Sequence, residues 1–333
     1  MTPFGIGLLG AARITDKAIV HPVHVTPQCQ LTAIAARDRG RAEAYAERYG
    51  VAEVFDSYAD VVAADRVDLI YNPLPINLHA EWTINALKAG KHVLCEKPFA
   101  MNAEEAQAML SAAEASGKRL IEAFHYRYHP AFEICLDWVE ADEIGELREI
   151  HAAFDVHIKD NGTEIRHRVE TGGGAMMDLG CYPLHWALSI TGEAPNQIEA
   201  KAELTPVGVD ETLQASLSFP SGVTAHLSTS MAEGAAFRAT MKLIGSKGEI
   251  EFNNPLAPHN AFSPGWLRTA AGREAEISPT NTYTWQLAAV FRAIQSGAPL
   301  PTEGEMILRQ QVSLDEIYAA AGLRHLRYLQ DAG

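Results

Sequence analysis

Residues 4–15 read FGIGLLGAARIT, and within them GIGLLG (5–10) satisfies the dinucleotide-binding pattern GxGxxG. The apolar run FGIGLL predicts a strand, so Gly5 and Gly7 fall inside it and only Gly10 stands where a strand turns into a helix. Counted from Gly10, the fingerprint becomes Gly10, Ala12 and Thr15, with small residues replacing the second and third glycines. Such a loop can still offer backbone N–H groups to a pyrophosphate at a helix start, which makes Gly10, Ala11, Ala12, Arg13 and Ile14 candidate cofactor contacts. The plain alternative is a tight strand-to-helix turn that binds nothing.

Outward from that loop, LTAIAA (31–36), VDLIYN (67–72), HVLCEK (92–97) and RLIEAF (119–124) predict further strands. RAEAYAERYG (41–50), LHAEWTINALKAG (78–90) and NAEEAQAMLSAAEASG (102–117) predict helices between them, each closed by a glycine. Asn102, with Glu105 three residues on, reads as an N-cap. Strands apolar on both faces, alternating with helices, predict a parallel sheet covered on both sides.

Beyond about residue 125 the pattern changes. Residues 144–158, 196–204, 211–231 and 237–253 alternate apolar with polar side chains, and the turns PSG and GSKG interrupt the last two. That pattern predicts antiparallel hairpins in a sheet with one open face. Residues 304–330 have helical spacing and are expected to pack back on the fold. The expected class is α/β: a Rossmann NAD(P)-binding domain over 1–124, then a C-terminal α+β domain over 125–333 with a large, mostly antiparallel open sheet. The second domain is expected to bind substrate and, through a broad apolar surface on that sheet, to form a homodimer or higher homo-oligomer.

A chain of 333 residues is long enough for two cores, and 47% hydrophobic with 21% charged residues is ordinary for a globular enzyme. The formal charge of −15 and the lack of a basic tract argue against nucleic acid as a partner. No apolar run approaches the ~18 residues of a membrane helix, and no leader pattern opens the sequence, so a cytoplasmic location is expected. Cys29, Cys95, Cys135 and Cys181 show no zinc-type spacing; reduced, buried thiols and no metal are expected.

Three more stretches carry chemistry. AARDRGR (35–41) stands where a ribose-binding acid is expected, and Arg37 there suits the 2′-phosphate of NADP; a solvated basic turn is the alternative. CEKPF (95–99) puts Glu96 and Lys97 at the carboxyl end of what counts as the fourth parallel strand, where open α/β folds bind ligands. TGGGAMMDLGCYPLHW (171–186) places Asp178, Tyr182 and His185 on one face of a helix, a plausible proton-handling set that core packing would also explain.

With NPLPINLHAEW (72–82), AGKHVLCEKP (89–98) and EAFHYRYHP (122–130), these stretches resemble the Gfo/Idh/MocA oxidoreductases over essentially the whole chain. The resemblance implies a nicotinamide enzyme moving a hydride between cofactor and a carbinol or carbonyl carbon of a polyol, sugar or cyclic diol. It implies Lys97 at the reacting oxygen, Glu96 on the cofactor side, and cofactor contacts from Asn72, Pro73, Leu74, His79 and Arg127. Asp178 matches the family's DxGxH pattern, whereas Tyr182 stands in place of its histidine, as in the glucose-fructose oxidoreductase and dihydrodiol dehydrogenase branch. That branch uses NADP, with NAD the other choice. Tyr182 would then be the general acid/base, its phenol (ordinary pKa ~10) made more acidic by Lys97. His125, Arg127, Asp178, Tyr182 and His185 are the candidate substrate contacts. The expected rival is a glycosidase or lyase that uses transient oxidation by a tightly held NAD.

Overall fold

A computed structural model of the chain describes residues 3–328. Two compact units emerge. One runs to His125 and also takes up Tyr283–Leu308; the other comprises Tyr126–Thr282 and the chain from Arg309 onward. A single division at 124/125 therefore omits a return of the chain to the first unit. Within that unit the helix Thr282–Ser296 adds Leu287 and Val290 to the core, and Glu303 pairs with Arg119 at 2.6 Å.

The first unit is built on six parallel strands: β1 (Phe4–Leu9), β2 (Cys29–Ala35), β3 (Glu53–Val54), β4 (Leu69–Asn72), β5 (His92–Cys95) and β6 (Leu120–Glu122). Their order is β3-β2-β1-β4-β5-β6, so the winding reverses between β1 and β4, and the crevice at the carboxyl ends of those strands is where ligands bind in such sheets. The two-residue β3 was too short to show a pattern. With it counted, the CEKPF segment follows the fifth strand, not the fourth. Gly5 is a packing residue, since a Cβ there would lie 1.9 Å from the Arg66 carbonyl oxygen. Helix starts are fixed as their sequences suggest. The Asp38 carboxylate accepts from Arg41 N–H at 2.8 Å ahead of the helix Arg39–Tyr49, and Asn102 accepts from Glu105 N–H at 2.9 Å ahead of Ala103–Ser116.

The second unit carries β7 (Leu147–Asp155), β8 (Gln197–Leu204), β9 (Asp210–Ser218), β10 (Thr224–Ser230), β11 (Arg238–Gly245), β12 (Glu249–Asn253) and β13 (Trp266–Thr269) in the order β13-β12-β11-β7-β10-β9-β8. PSG and GSKG make the β9–β10 and β11–β12 hairpins, and β7 pairs with β10 in parallel. Alternation sends Ile150, Phe154, Leu213, Leu217, Leu227, Met241 and Phe252 to the covered face, all buried. The helix Glu305–Ala320 lies within the stretch expected to be helical.

The open face corrects the expectation of a broad apolar surface. Strict alternation leaves it Glu199, Lys201, Gln214, Ser216, His226, Ser228, Lys242 and Glu251, so apolarity gives no reason for a second copy to dock there. The four cysteines are buried free thiols, and burial pushes Cys29 up to about 11 and Cys135 to about 12.

Candidate active site

In the first unit, β1 ends at Gly10, whose φ of +92° is the left-handed conformation that glycine adopts without strain. Its N–H bonds the Ala35 carbonyl at 2.7 Å, tying the loop to the end of β2. A helical run opens at Arg13 with Ala12 as N-cap, whose side chain makes no capping hydrogen bond; a helix start is where backbone N–H groups can face an anion. Ala11, Ala12 and Ile14 are half-buried and Arg13 exposed. At the end of β2, Asp38 is committed to its helix cap, Arg39 pairs with Glu43 and Asp56, and Arg41 donates to the Ala11 carbonyl at 3.2 Å. Arg37 is exposed and, among the described residues, in no ion pair. These residues fit a dinucleotide carrying an extra phosphate better than one needing a ribose-binding carboxylate.

Asn72 and His79 stand at the end of β4 and the start of the following helix. Both side chains are buried: Asn72 Nδ2 donates to Thr83 Oγ1 at 3.1 Å, and the His79 ring nitrogens lie 2.7 Å from the Leu74 carbonyl and 3.1 Å from that of Phe99. Burial lowers the His79 pKa, although those carbonyls pull it back. Together they brace the turn from which half-buried Pro73 and Leu74 project.

Past the end of β5, Glu96 accepts from Tyr71 O–H at 2.7 Å, and half-buried Lys97 opens a cis peptide to Pro98. Burial, followed by the charge of Glu96, raises the Tyr71 pKa well above its ordinary value, so the phenol stays protonated and donating. Glu122, at the end of β6, was not foreseen. It is 1% exposed, and its pKa is raised well above the ordinary range by burial first and by Glu96 second, with the Phe99 backbone and the Lys97 ammonium pulling the other way. Just beyond, buried His125 stacks on Tyr283 at 3.8 Å between ring centres.

In the second unit, residues Met176–Gly180 wind as a π-helical turn before the α-helix Cys181–Thr191. The extra residue per turn changes the phase, so the α-helical spacing used to put Asp178 on the face of Tyr182 and His185 does not hold through it. Gly174 (φ +130°) shows why the triple glycine is needed: a Cβ there would lie 2.0 Å from Asp210 Oδ1. Asp210, fully buried, accepts from Met176 N–H and Tyr318 O–H, each at 2.7 Å, and so anchors the turn that leads to Tyr182.

The glycines also seat residues 166–168, since Gly174 N–H bonds the Arg166 carbonyl at 2.9 Å and Gly173 N–H that of Arg168 at 2.8 Å. Arg166 is thereby brought onto Asp178 (2.6 Å) and Glu164 (2.8 Å), a partly buried pairing. Tyr182 is buried, 6.1 Å from the Tyr126 ring and 5.7 Å from that of Phe154. His185 is fully buried and not on a substrate surface: its Nδ1 meets the Tyr126 hydroxyl and, at 3.3 Å, Ser189 Oγ. Burial and then Arg127 hold its pKa well below the ordinary value, so it is neutral and steadies Tyr126. Arg127 pairs with Glu133 and lies over Phe132.

A glycine turn at the switch point leading into a helical run, a cation at the end of β2 and a lysine past β5 define the class: a nicotinamide-dependent oxidoreductase. Residues 4–124 match the Gfo/Idh/MocA oxidoreductase family with its NAD-binding Rossmann fold, and residues 133–251 match the Gfo/Idh/MocA C-terminal domain. The chain belongs to this family of dehydrogenases and reductases. It is 31% identical to the NADP-dependent D-xylose 1-dehydrogenase 2 of Haloferax volcanii over 319 residues, 95% of this chain and 96% of that one. Over 261 residues it is 30% identical to the trans-1,2-dihydrobenzene-1,2-diol dehydrogenase of Xenopus tropicalis, covering 77% of this chain and 76% of that one. The crystal structure of KijD10, a 3-ketoreductase from Actinomadura kijaniata in complex with NADP and TDP-benzene, superposes with a TM-score of 0.87 at 29% identity, covering 96% of this chain and 98% of that one. Among the described residues no helix is long and apolar enough to cross a membrane.

Proposed function

We propose that the protein is an NADP-dependent oxidoreductase that interconverts a carbinol and a carbonyl carbon of a sugar, sugar derivative or cyclic diol. One observation carries the cofactor choice: Asp38 accepts from the Arg41 amide at 2.8 Å as a helix cap, while Arg37 beside it is exposed and, among the described residues, in no ion pair. NADP as the cofactor of the D-xylose dehydrogenase and as the dinucleotide bound in the 3-ketoreductase structure supports it. The bound nicotinamide supplies the hydride acceptor or donor.

Lys97 donates a hydrogen bond to the reacting oxygen and stabilises negative charge there. The Tyr182 hydroxyl takes the proton from the substrate hydroxyl in oxidation and returns it in reduction. Asp178, its carboxylate oriented by Arg166 at 2.6 Å, accepts from a neighbouring substrate hydroxyl. Net redox activity in the named relatives favours this reading over a glycosidase that oxidises only transiently. Initial rates from the reduced-nicotinamide absorbance, with NADP or NAD and a panel of aldoses, inositols, anhydro sugars, nucleotide sugars and dihydrodiols, test it. Turnover is expected with NADP; silence across the panel despite measured NADP binding overturns it.

A further inference from the structure

On the open face of the second sheet, far in sequence from every residue given a role above, two histidines and a glutamate converge. Parallel pairing of β7 with β10 sets His226 directly beside His151, and Glu149 lies two residues before His151 on the same face of β7. One ligand atom from each of the three can be chosen so that all lie within 4.8 Å of one another. His151 Nε2 is already 2.9 Å from Glu149 Oε2, and the two imidazole rings lie 4.9 Å apart, tilted by 32°.

We propose that Glu149, His151 and His226 bind a divalent transition-metal ion of the zinc, cobalt or nickel type. Imidazole and carboxylate ligands at ~2.0–2.2 Å from such an ion stand roughly 3.4 Å from each other in a tetrahedron. Small rotations of three solvent-facing side chains bring the cluster to that geometry. Ser216 on β9 sits opposite His226 with its Oγ 3.1 Å from Nδ1, the kind of partner that fixes the ring of a metal-bound histidine and leaves Nε2 as ligand. Lys242, paired with His151 from β11, is the cation facing the cluster; Glu249 at 2.5 Å and Glu251 at 4.0 Å hold its ammonium. Two neutral imidazoles and one carboxylate balance half the charge of the ion and leave a position for water.

The ion would clamp β7 to β10, whose parallel ladder pairs less strongly per residue than the antiparallel ladders on either side. The cysteines gave no hint of such a site. His151 and His226 become neighbours only through the strand order.

The test uses the full-length, untagged protein stripped of metal, titrated with zinc by calorimetry and with cobalt by visible absorption. The expected result is one saturable equivalent per chain, a tetrahedral or five-coordinate cobalt spectrum and a rise in Tm on zinc addition. H151A and H226A are each expected to weaken binding at least tenfold and to abolish the cobalt bands, while H21A, a change at a histidine outside the sheet, leaves both unaltered. All three positions lie on the surface, so the metal-free variants should melt like the parent chain. Binding of unchanged affinity in H226A, or no saturable binding in the parent chain, overturns the proposal.

Discussion

Asp210 allows a quantitative prediction about what holds the Tyr182 helix. Burial raises its pKa from 3.8 to about 6, partly offset by the hydrogen bonds from Met176 and Tyr318 and by the Arg327 charge. Below 3.8 the folded and unfolded states are both protonated at this group, and it adds no pH dependence. Between 3.8 and about 6 the unfolded chain releases the proton while the folded one keeps it, so stability is lost as pH rises. Above that window both states are ionised and the loss is constant. A shift of about two pH units at ~1.4 kcal/mol each gives a loss of about 3 kcal/mol.

Urea unfolding at a series of pH values, for the parent chain and D210N, isolates this group, because every other carboxylate titrates in both proteins. The difference in unfolding free energy should change by about 2 kcal/mol from about pH 4 to pH 6, with D210N gaining relative to the parent chain as pH rises, and should level off above about pH 7. Two curves that stay parallel from pH about 4 to 6 refute the reasoning. D210A differs again: the Met176 amide and Tyr318 hydroxyl lose their acceptor, at a cost of about 1–3 kcal/mol each, and activity should fall with stability as the π-turn loosens.

Replacing Arg37 by Ala should raise KM for NADP tenfold or more and leave KM for NAD within about twofold, seen in initial rates at fixed substrate. For E122Q, thermal melts at rising pH should show a smaller loss of Tm above about pH 5 than the parent chain, because a buried carboxyl with a raised pKa destabilises the fold progressively above its ordinary pKa; equal losses would place the burden elsewhere. R166A removes the guanidinium that orients Asp178 and should raise substrate KM by roughly tenfold while kcat changes less, a split that steady-state kinetics with a confirmed substrate reads directly.

Much of the first unit was legible because its determinants are local. Asn102 caps the helix expected from it, and Gly10 turns where the strand FGIGLL runs out. The hairpins of the second unit announce themselves through PSG and GSKG. What escaped depends on the fold as a whole. β3 and β13 have two and four residues, too few for a period to appear. The return of Tyr283–Leu308 to the first unit leaves no mark in composition.

The site divides along the same line. Lys97, Tyr182 and Asp178 could be singled out from motifs, but Arg166 reaches Asp178 only because three glycines let two backbone stretches touch. His185 looked like a ligand because helical spacing reports a face and not what lies against it; the face is packed on Tyr126. The polar open face was hidden for a simpler reason. Alternation says that one face is apolar, and the covered face had already taken those residues.

The central claim is net hydride transfer, and isotope tracing tests it most directly. NADPH carrying deuterium at the transferring position of C4 is incubated with the full-length protein and the carbonyl form of each substrate that supports turnover, and the products are examined by mass spectrometry. The account predicts one deuterium on the new carbinol carbon for each NADPH consumed, with Y182F and K97A slowing the transfer by roughly a hundredfold or more. Substrate consumed with no deuterium in the product, and NADPH unspent, would contradict it.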